Sequence, residues 1–524
     1  MSRSPEQRWQ RAMQYLAQGQ VAAARAHLDV LQNTMPEHVH TRLIAARIAL
    51  HEDRIRDATR YALDAAQSTT DDPATLLEMV EALLRVGEVV VARACLARPP
   101  LANTEDPNWL LRLSDLRQRL NEHAESLALI ERAVARGASG PDVLFHHGVQ
   151  LYFDGRIEAA ESELEKSLRL APTSGRAALA LSRLRRQTPQ GHHLDLIEAG
   201  LAAVRKGTRD HAALEFALYK ELEDLGRFED AWRALERGNS VMAARNRYDA
   251  EGERGFLERL MAIFDGGQPR RASSDGAGTP IFILGLARSG TTLLERMLGN
   301  HTEVASAGEL VDFGTQLYWA ADTADTTSDA FVARLSRADF AEIGTRYLER
   351  TRWRAHGKPF FIDKQPPNWM LAGAINRALP GARVLHLVRD PMDVCFSNWR
   401  TFFGDTYAYS YRFEGLATHY RLYQRVMQHW HAVMPGVILD VPYAELVREP
   451  EKVMRKVVEF CGLGWQPACL EAQRNPSAVA TLSAAQVREP IHVNALGQWR
   501  RYATRLAGLP GLLGVDEGSA GMGE

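Results

Sequence analysis

The sequence predicts an all-α solenoid in its first half and an α/β phosphate-loop domain with a mostly parallel sheet in its second. Three observations lead there. A pattern of small and apolar residues recurs every 34 positions from Gly19 onward. An unbroken apolar run, PIFILGL, then opens directly into the glycine loop GLARSGTT. A second apolar run, Val384 to Val388, ends in Arg389 and is followed by Pro391.

At 524 residues the chain is too long for one ordinary core. Its 45% hydrophobic and 24% charged residues are those of a globular protein. Lys+Arg (63) and Asp+Glu (65) nearly cancel, so no chain-wide basic field draws it to nucleic acid or an anionic membrane. The first twenty residues lack the apolar core of a signal peptide, and no apolar run is long enough to span a bilayer. The four cysteines, Cys95, Cys395, Cys461 and Cys469, show neither disulfide-framework nor zinc spacing. The expectation is a soluble, cytoplasmic protein with reduced thiols and no bound metal.

In the first half, Gly19, Asp53, Gly87, Asn121 and Gly155 each open a similar stretch. Five positions later stand Ala24, Ala58, Ala92, Ser126 and Ala160; four further on come Leu28, Ala62, Leu96, Ile130 and Leu164. The small residue suits a close approach of two helices, and Pro36 and Pro172 end the second helix of their units. This array resembles tetratricopeptide repeats, whose period is the same. The resemblance covers about residues 5–240, within a domain expected over 1–264. A further unit at Gly226 lies 71 residues after Gly155, three more than two periods, so the register slips between them. Such solenoids bind protein or peptide partners on their concave face. The alternatives are a buttress for the next domain and self-association. Residues 265–279, rich in Gly, Ser and charge, read as a linker; 515–524 read as a disordered tail.

The domain expected over 280–514 begins with PIFILGL, suited to a strand buried on both faces. After the loop, Leu293, Leu294, Met297 and Leu298 recur at helical spacing. Strand, glycine loop and helix together make a phosphate cradle of backbone N–H groups. Gly285 and Gly290 keep the spacing of a Walker loop, but Thr291 stands where its lysine belongs. That loss argues against γ-phosphoryl transfer and fits a loop holding one terminal phosphate, with Arg288 as a further cation. Farther on, Arg389 closes a strand and Ser397 lies two helical turns along, a pair suited to a second phosphate. Read alone, Arg389–Asp390 is equally a structural ion pair.

ILGLARSGTTLLERML resembles the 5′-phosphosulfate loop of sulfotransferases, and LVRDPMDVCFSNW resembles their 3′-phosphate motif. AGEL around Glu309, IDKQP around Lys364, VPYAELVREP around Tyr443 and SAAQVREPIHVNALGQW from Ser483 resemble the tyrosylprotein sulfotransferase branch and its repeat-containing bacterial relatives. The resemblance covers about residues 279–505. It implies that 3′-phosphoadenosine 5′-phosphosulfate is the donor and that Arg288, Ser289, Gly290, Thr291 and Thr292 hold its phosphosulfate. By the same resemblance Arg389 and Ser397 hold the 3′ phosphate and Tyr443 lies at the adenine. Glu309 is then the base, with Lys364, Ser483 and Arg288 stabilising the transition state. Two positions depart from the family: its late cofactor lysine is Gln498, so that contact is lost or passes to Arg500 or Arg501, and a basic residue of the 3′ motif is Thr401, beside Arg400.

Sulfuryl transfer needs an in-line arrangement, a base for the acceptor proton and positive charge at the leaving oxygen. The expected function is sulfation of a hydroxyl on a protein or peptide, tyrosine foremost. Two rivals are a nucleotide-dependent kinase and a repeat scaffold whose second domain binds nucleotide without turnover. The scaffold is favoured if Glu309, Lys364 and Arg288 share no cleft. Without the family, Glu309 is a solvated loop carboxylate and Lys364 a surface charge at a strand end. His301 and His386 belong to no metal-ligand spacing.

Overall fold

Every residue that opens a repeat adopts the left-handed conformation: Gly19 (φ 72°), Asp53 (56°), Gly87 (76°), Asn121 (59°) and Gly155 (90°). Glycine reaches this region freely, and Asp and Asn tolerate it best among the others. Each turns the chain from one helix into the next. Gly19 joins Pro5–Ala17 to Val21–Thr34, and Gly155 joins Pro141–Asp154 to Ile157–Leu170. Gly226 (77°) does the same between Arg209–Asp224 and Phe228–Arg245. The five small residues after the openers are completely buried. The 34-residue period is therefore a string of helix hairpins. Where the register slips, the helix Gly175–Ser182 has only eight residues, and a loop closed by a Thr188–Gly191 bridge precedes Leu194–Ala203.

The computed structural model describes residues 4–266, 278–326, 328–475 and 490–514. The chain condenses into two units, whose bounds do not coincide with a division at the expected linker. The first contains the first 120 residues with 310–353 and 377–379. Here the helices Asp312–Ala321 and Phe340–Thr351 join the early hairpins. Glu88 accepts hydrogen bonds from Arg346 (3.0 Å) and Arg350 (2.6 Å), and the Arg56 amide donates to Asp322 (2.8 Å). The Arg93 guanidinium lies 3.7 Å from the Trp353 ring centroid.

The second unit contains residues 121–309, 354–376 and 380–524. Its centre is a fully parallel sheet in the order β2-β3-β1-β4-β5. The strands are β1 (Thr279–Gly285), β2 (Val304–Ser306), β3 (Phe360–Lys364), β4 (Arg383–Val388) and β5 (Ile438–Pro442). β1 is buried along its whole length, as its unbroken apolar run requires. Ile281, Ile283, Leu385 and Leu387 pack with Leu294, Met297 and Leu298 of the helix Thr291–Gly299 and with Val457 and Val458 of Pro450–Cys461. The late repeat helices belong to the same unit. The Trp232 ring lies 4.7 Å from that of Trp399, and Asn239 donates to the Trp399 carbonyl (3.2 Å).

The architecture is thus a helical-repeat solenoid joined to a parallel-sheet α/β domain. No helix among the described residues is long and apolar enough to cross a membrane.

Candidate functional site

The chain leaves β1 for β2 and β3 on one side and for β4 and β5 on the other, so the crevice between β1 and β4 is a topological switch point. The glycine loop emerges there. Arg288 takes a left-handed φ of 66°, a conformation that a long side chain adopts only under constraint. Gly290 has φ 109°, and a Cβ on it would stand 2.4 Å from Cδ2 of Tyr443. Two side chains strap the loop in place: Asn398 donates to the Ala287 carbonyl (2.8 Å) and Arg389 to the Arg288 carbonyl (2.9 Å). Thr291 and Thr292 are buried in the first helical turn, whose amides have no partner within the helix. The Ser289 hydroxyl is buried and has no hydrogen-bond partner among the described residues. These are the features of an anion cradle.

Arg389, Ser397 and Tyr443 come together beside that loop, in a cleft they share with Arg288, Gly290 and Thr292. The Arg389 guanidinium lies 4.6 Å from the Tyr443 ring centroid and also donates to the Ala495 carbonyl (2.6 Å). Asp390 does not pair with it. The Asp390 carboxylate instead caps the helix Pro391–Trp399, accepting from the Asp393 amide (2.9 Å). Burial raises the Tyr443 phenol above its usual range, with Arg389 and Arg288 opposing. The cation beside Gln498 is Arg400, which donates to its side-chain oxygen (2.5 Å) and lines the same cleft. Burial works against the Arg400 charge, but Tyr219 and Glu223 outweigh it and hold the guanidinium above its usual range. Arg500 and Arg501 lie instead over Trp499 and Phe228.

At the end of β3, Lys364 is completely buried and its ammonium pairs with the Glu309 carboxylate. Glu295, on the helix after the phosphate loop, lies 3.8 Å from the same ammonium and accepts from Ser306 (2.5 Å). Burial pushes the Glu295 carboxyl up, with Lys364 opposing. Glu309 is exposed, as a loop carboxylate would be, but it lines a cavity of about 970 Å³ together with Arg288, Thr291 and Thr292. Pro366 and Tyr407 line it too, as do Tyr152, Arg183 and Arg209 from the late repeat helices. Burial, with the Glu309 charge adding, pushes Tyr407 up to about 12. The structure therefore places Arg288 and Glu309 on one cavity, with the buried Lys364 paired to Glu309 behind its wall. Ser483 lies outside the described residues, as do 267–277 of the expected linker and the tail 515–524.

Sequence reading missed Glu295, whose signal was a charge on the apolar helix LLERML, and Tyr407, which carries no motif. It also missed a three-residue group. His386, His431 and Asp440 hold ligand atoms within 4.8 Å of one another and form the one group among the described residues suited to a metal ion. They come from β4, the helix Phe413–Val433 and β5, so no sequence spacing reveals them. Asp440 lies 2.7 Å from His386 and 3.0 Å from His431. His301 is structural: Nε2 meets the Gly464 carbonyl (2.8 Å) and Nδ1 accepts from the Glu303 amide (3.2 Å).

This fold and this loop define an α/β domain with an anion-cradle geometry at its switch point. Residues 280–467 match the model of the sulfotransferase family, in the part of the chain that follows its tetratricopeptide-like repeats. An uncharacterised protein of Aquifex aeolicus is 28% identical over 414 residues, covering 76% of this chain and 54% of that protein. The protein-tyrosine sulfotransferase of Drosophila melanogaster is 25% identical over 241 residues, 42% of this chain and 46% of its own length. The chain thus spans about half the length of each of these relatives. The sulfotransferase domain of the Synechococcus PCC 7002 olefin synthase is 24% identical, covers 44% of this chain and 91% of that one, and has a TM-score of 0.32.

Proposed function

We propose that the protein transfers a sulfuryl group from 3′-phosphoadenosine 5′-phosphosulfate to a hydroxyl on a protein or peptide, with tyrosine the leading acceptor. The observation that carries this reading is one loop shared by two anion sites. Arg288 and the Gly290–Thr292 turn face both the large cavity and the cleft of Arg389, Ser397 and Arg400. A donor with phosphates at both ends of its ribose needs that arrangement; AMP and ATP do not. The partnerless Ser289 hydroxyl supports an oxyanion in the loop, and Tyr443 supplies an aromatic face for the base. The cleft is about 60 Å³, below the roughly 300 Å³ at which ligand pockets begin, so adenosine must displace side chains that now fill it.

In this reading the acceptor oxygen attacks sulfur while its proton passes to Glu309. The bond from sulfur to the 5′-phosphate oxygen breaks, and that oxygen keeps the electron pair. As Glu309 takes the proton its hold on Lys364 weakens, leaving the buried ammonium to stabilise the leaving oxygen. Convergence of Glu309, Lys364 and Arg288 supports turnover over a silent scaffold, and Thr291 in place of lysine disfavours a kinase. The repeats are read as the acceptor-recruiting surface, and the protein as cytoplasmic. Incubation with radiolabelled donor and a tyrosine-containing peptide pool tests the assignment. Label on peptide tyrosines supports it; label found only on serine, threonine or small molecules would replace the acceptor, and no transfer would remove the activity.

A further inference from the structure

The repeat period breaks beside the phosphate loop. The short helix Gly175–Ser182 stops at Arg183, and the loop behind it is pinned to the helix Arg209–Asp224. There the Gln187 amide donates to Asp224 (2.9 Å) and the His193 amide to Glu221 (2.6 Å). Arg183 is thus carried at a fixed irregularity, where a regular repeat would continue as helix.

Its side chain is partly buried and lines the large cavity opposite Arg288, Thr291 and Thr292. The other repeat arginines on that wall have acidic neighbours: Arg176 pairs with Asp142, and Arg209 lies 3.8 Å from Asp405. No carboxylate among the described residues pairs with Arg183. A cation drawn out of water without a counter-charge is costly unless an anion arrives to meet it. Burial pulls Arg183 down to about 10. Arg288 is pulled to about 9 by burial and by the charges of Arg400, Arg183 and Arg389. Arg183 is the only repeat arginine in that set, and both groups stay cationic at neutral pH. Two like charges facing one cavity repel until an oxyanion sits between them.

We propose that Arg183, delivered by the repeats, binds the transferring sulfuryl oxyanion of the donor, so that the solenoid completes the transfer site as well as recruiting the acceptor. The proposal rests on the sulfotransferase reading above. The sulfuryl group is the part of the donor that extends from the loop-bound 5′ phosphate into the wider cavity, where Arg183 and Glu309 both stand. An acidic side chain of the acceptor is the competing occupant.

The test is calorimetry on the full chain with 3′-phosphoadenosine 5′-phosphate, which lacks the sulfuryl group, and with the phosphosulfate itself. Arg183→Gln is expected to weaken the phosphosulfate about tenfold or more and to leave the bisphosphate within about twofold. Arg183→Lys should recover part of the loss, and thermal stability should not fall, because no internal ion pair is removed. Equal weakening of both nucleotides would overturn the proposal, and so would unchanged nucleotide binding with a raised acceptor KM. Wild-type protein that binds neither nucleotide would remove the sulfotransferase reading itself, before any variant is compared.

Discussion

Lys364 and Glu309 form an ion pair with unequal exposure: the ammonium is completely buried at the end of β3, while the carboxylate side chain is 43% exposed at the wall of the large cavity. The inner partner is thereby shielded from water and the outer one remains open to an incoming hydroxyl. Behind them Glu295 offers the lysine a second carboxylate at 3.8 Å.

Glu309→Gln should therefore lower turnover by about 10²–10⁴. Donor affinity should hardly change, since the lost proton acceptor serves mainly in the transition state. Lys364→Met should also slow turnover, and it should destabilise the fold more than Glu309→Gln does, because it strands the buried Glu295. Steady-state kinetics and thermal melts check both. Near-normal turnover of Glu309→Gln would exclude it as the base. Activity abolished by EDTA and restored by magnesium would replace this chemistry with a metal-dependent one.

Ser397 is the clean probe of the second anion site. A hydrogen bond to a charged group contributes about 1.5–3 kcal/mol, so Ser397→Ala should weaken the bisphosphate about tenfold and spare AMP. Arg389 reads differently in the structure than in the sequence. It also holds the Arg288 carbonyl, so Arg389→Ala should weaken both ligands by releasing the loop. Calorimetry with the two nucleotides separates the cases; a Ser397→Ala loss common to both would move the 3′ phosphate elsewhere.

Gly290 joins a left-handed backbone to a crowded surface. An alanine there would carry its Cβ into the Tyr443 ring and strain the loop by about 1–3 kcal/mol. Gly290→Ala should lose nucleotide binding while circular dichroism stays near native. Retained binding would show that the loop has room the geometry denies it.

The legible parts of this protein were those written as short-range patterns. The turn residues and the small residues five positions later are local constraints, so the period revealed the hairpins directly. β1 with its glycine loop, and β4 with Arg389, were equally local. What escaped was pairing over long sequence distance. Glu309 and Lys364 meet through adjacent strand ends, and the Glu309–Glu295 neighbourhood exists only once β2 lies beside β3. The expected flexible join at 265–279 gave no hint that Phe216 and Trp232 lie against Phe402 and Trp399, because aromatic residues on repeat helices look alike whichever neighbour buries them.

That aromatic contact carries its own prediction. A catalytic half beginning near Asp265 should be insoluble, since it would expose Trp399, Phe402 and Tyr502. In the full chain, Trp232→Ala should cost about 3–5 kcal/mol and depress nucleotide binding with it. Denaturant unfolding monitored alongside nucleotide affinity checks this. A truncated chain that is soluble and binds donor normally would overturn it.

The buried His193 provides a pH test of the late repeats. Its Nδ1 lies 2.8 Å from Glu221, and Nε2 lies 3.5 Å from Glu161 and 3.4 Å from Glu165. Burial disfavours the imidazolium, but the hydrogen bond and charge of Glu221, helped by Glu161 and Glu165, outweigh it and raise the histidine above its ordinary value. A group whose pKa is higher folded than unfolded contributes stability below its unfolded value of about 6.5 and loses it as pH rises through the folded value. The melting temperature of wild type should therefore exceed that of His193→Gln by more at pH 6 than at pH 9. Glu221→Gln removes the main source of the rise, so it should flatten the same profile without deleting the imidazole. A wild-type advantage that stays constant across this range would mean that His193 acts through packing alone.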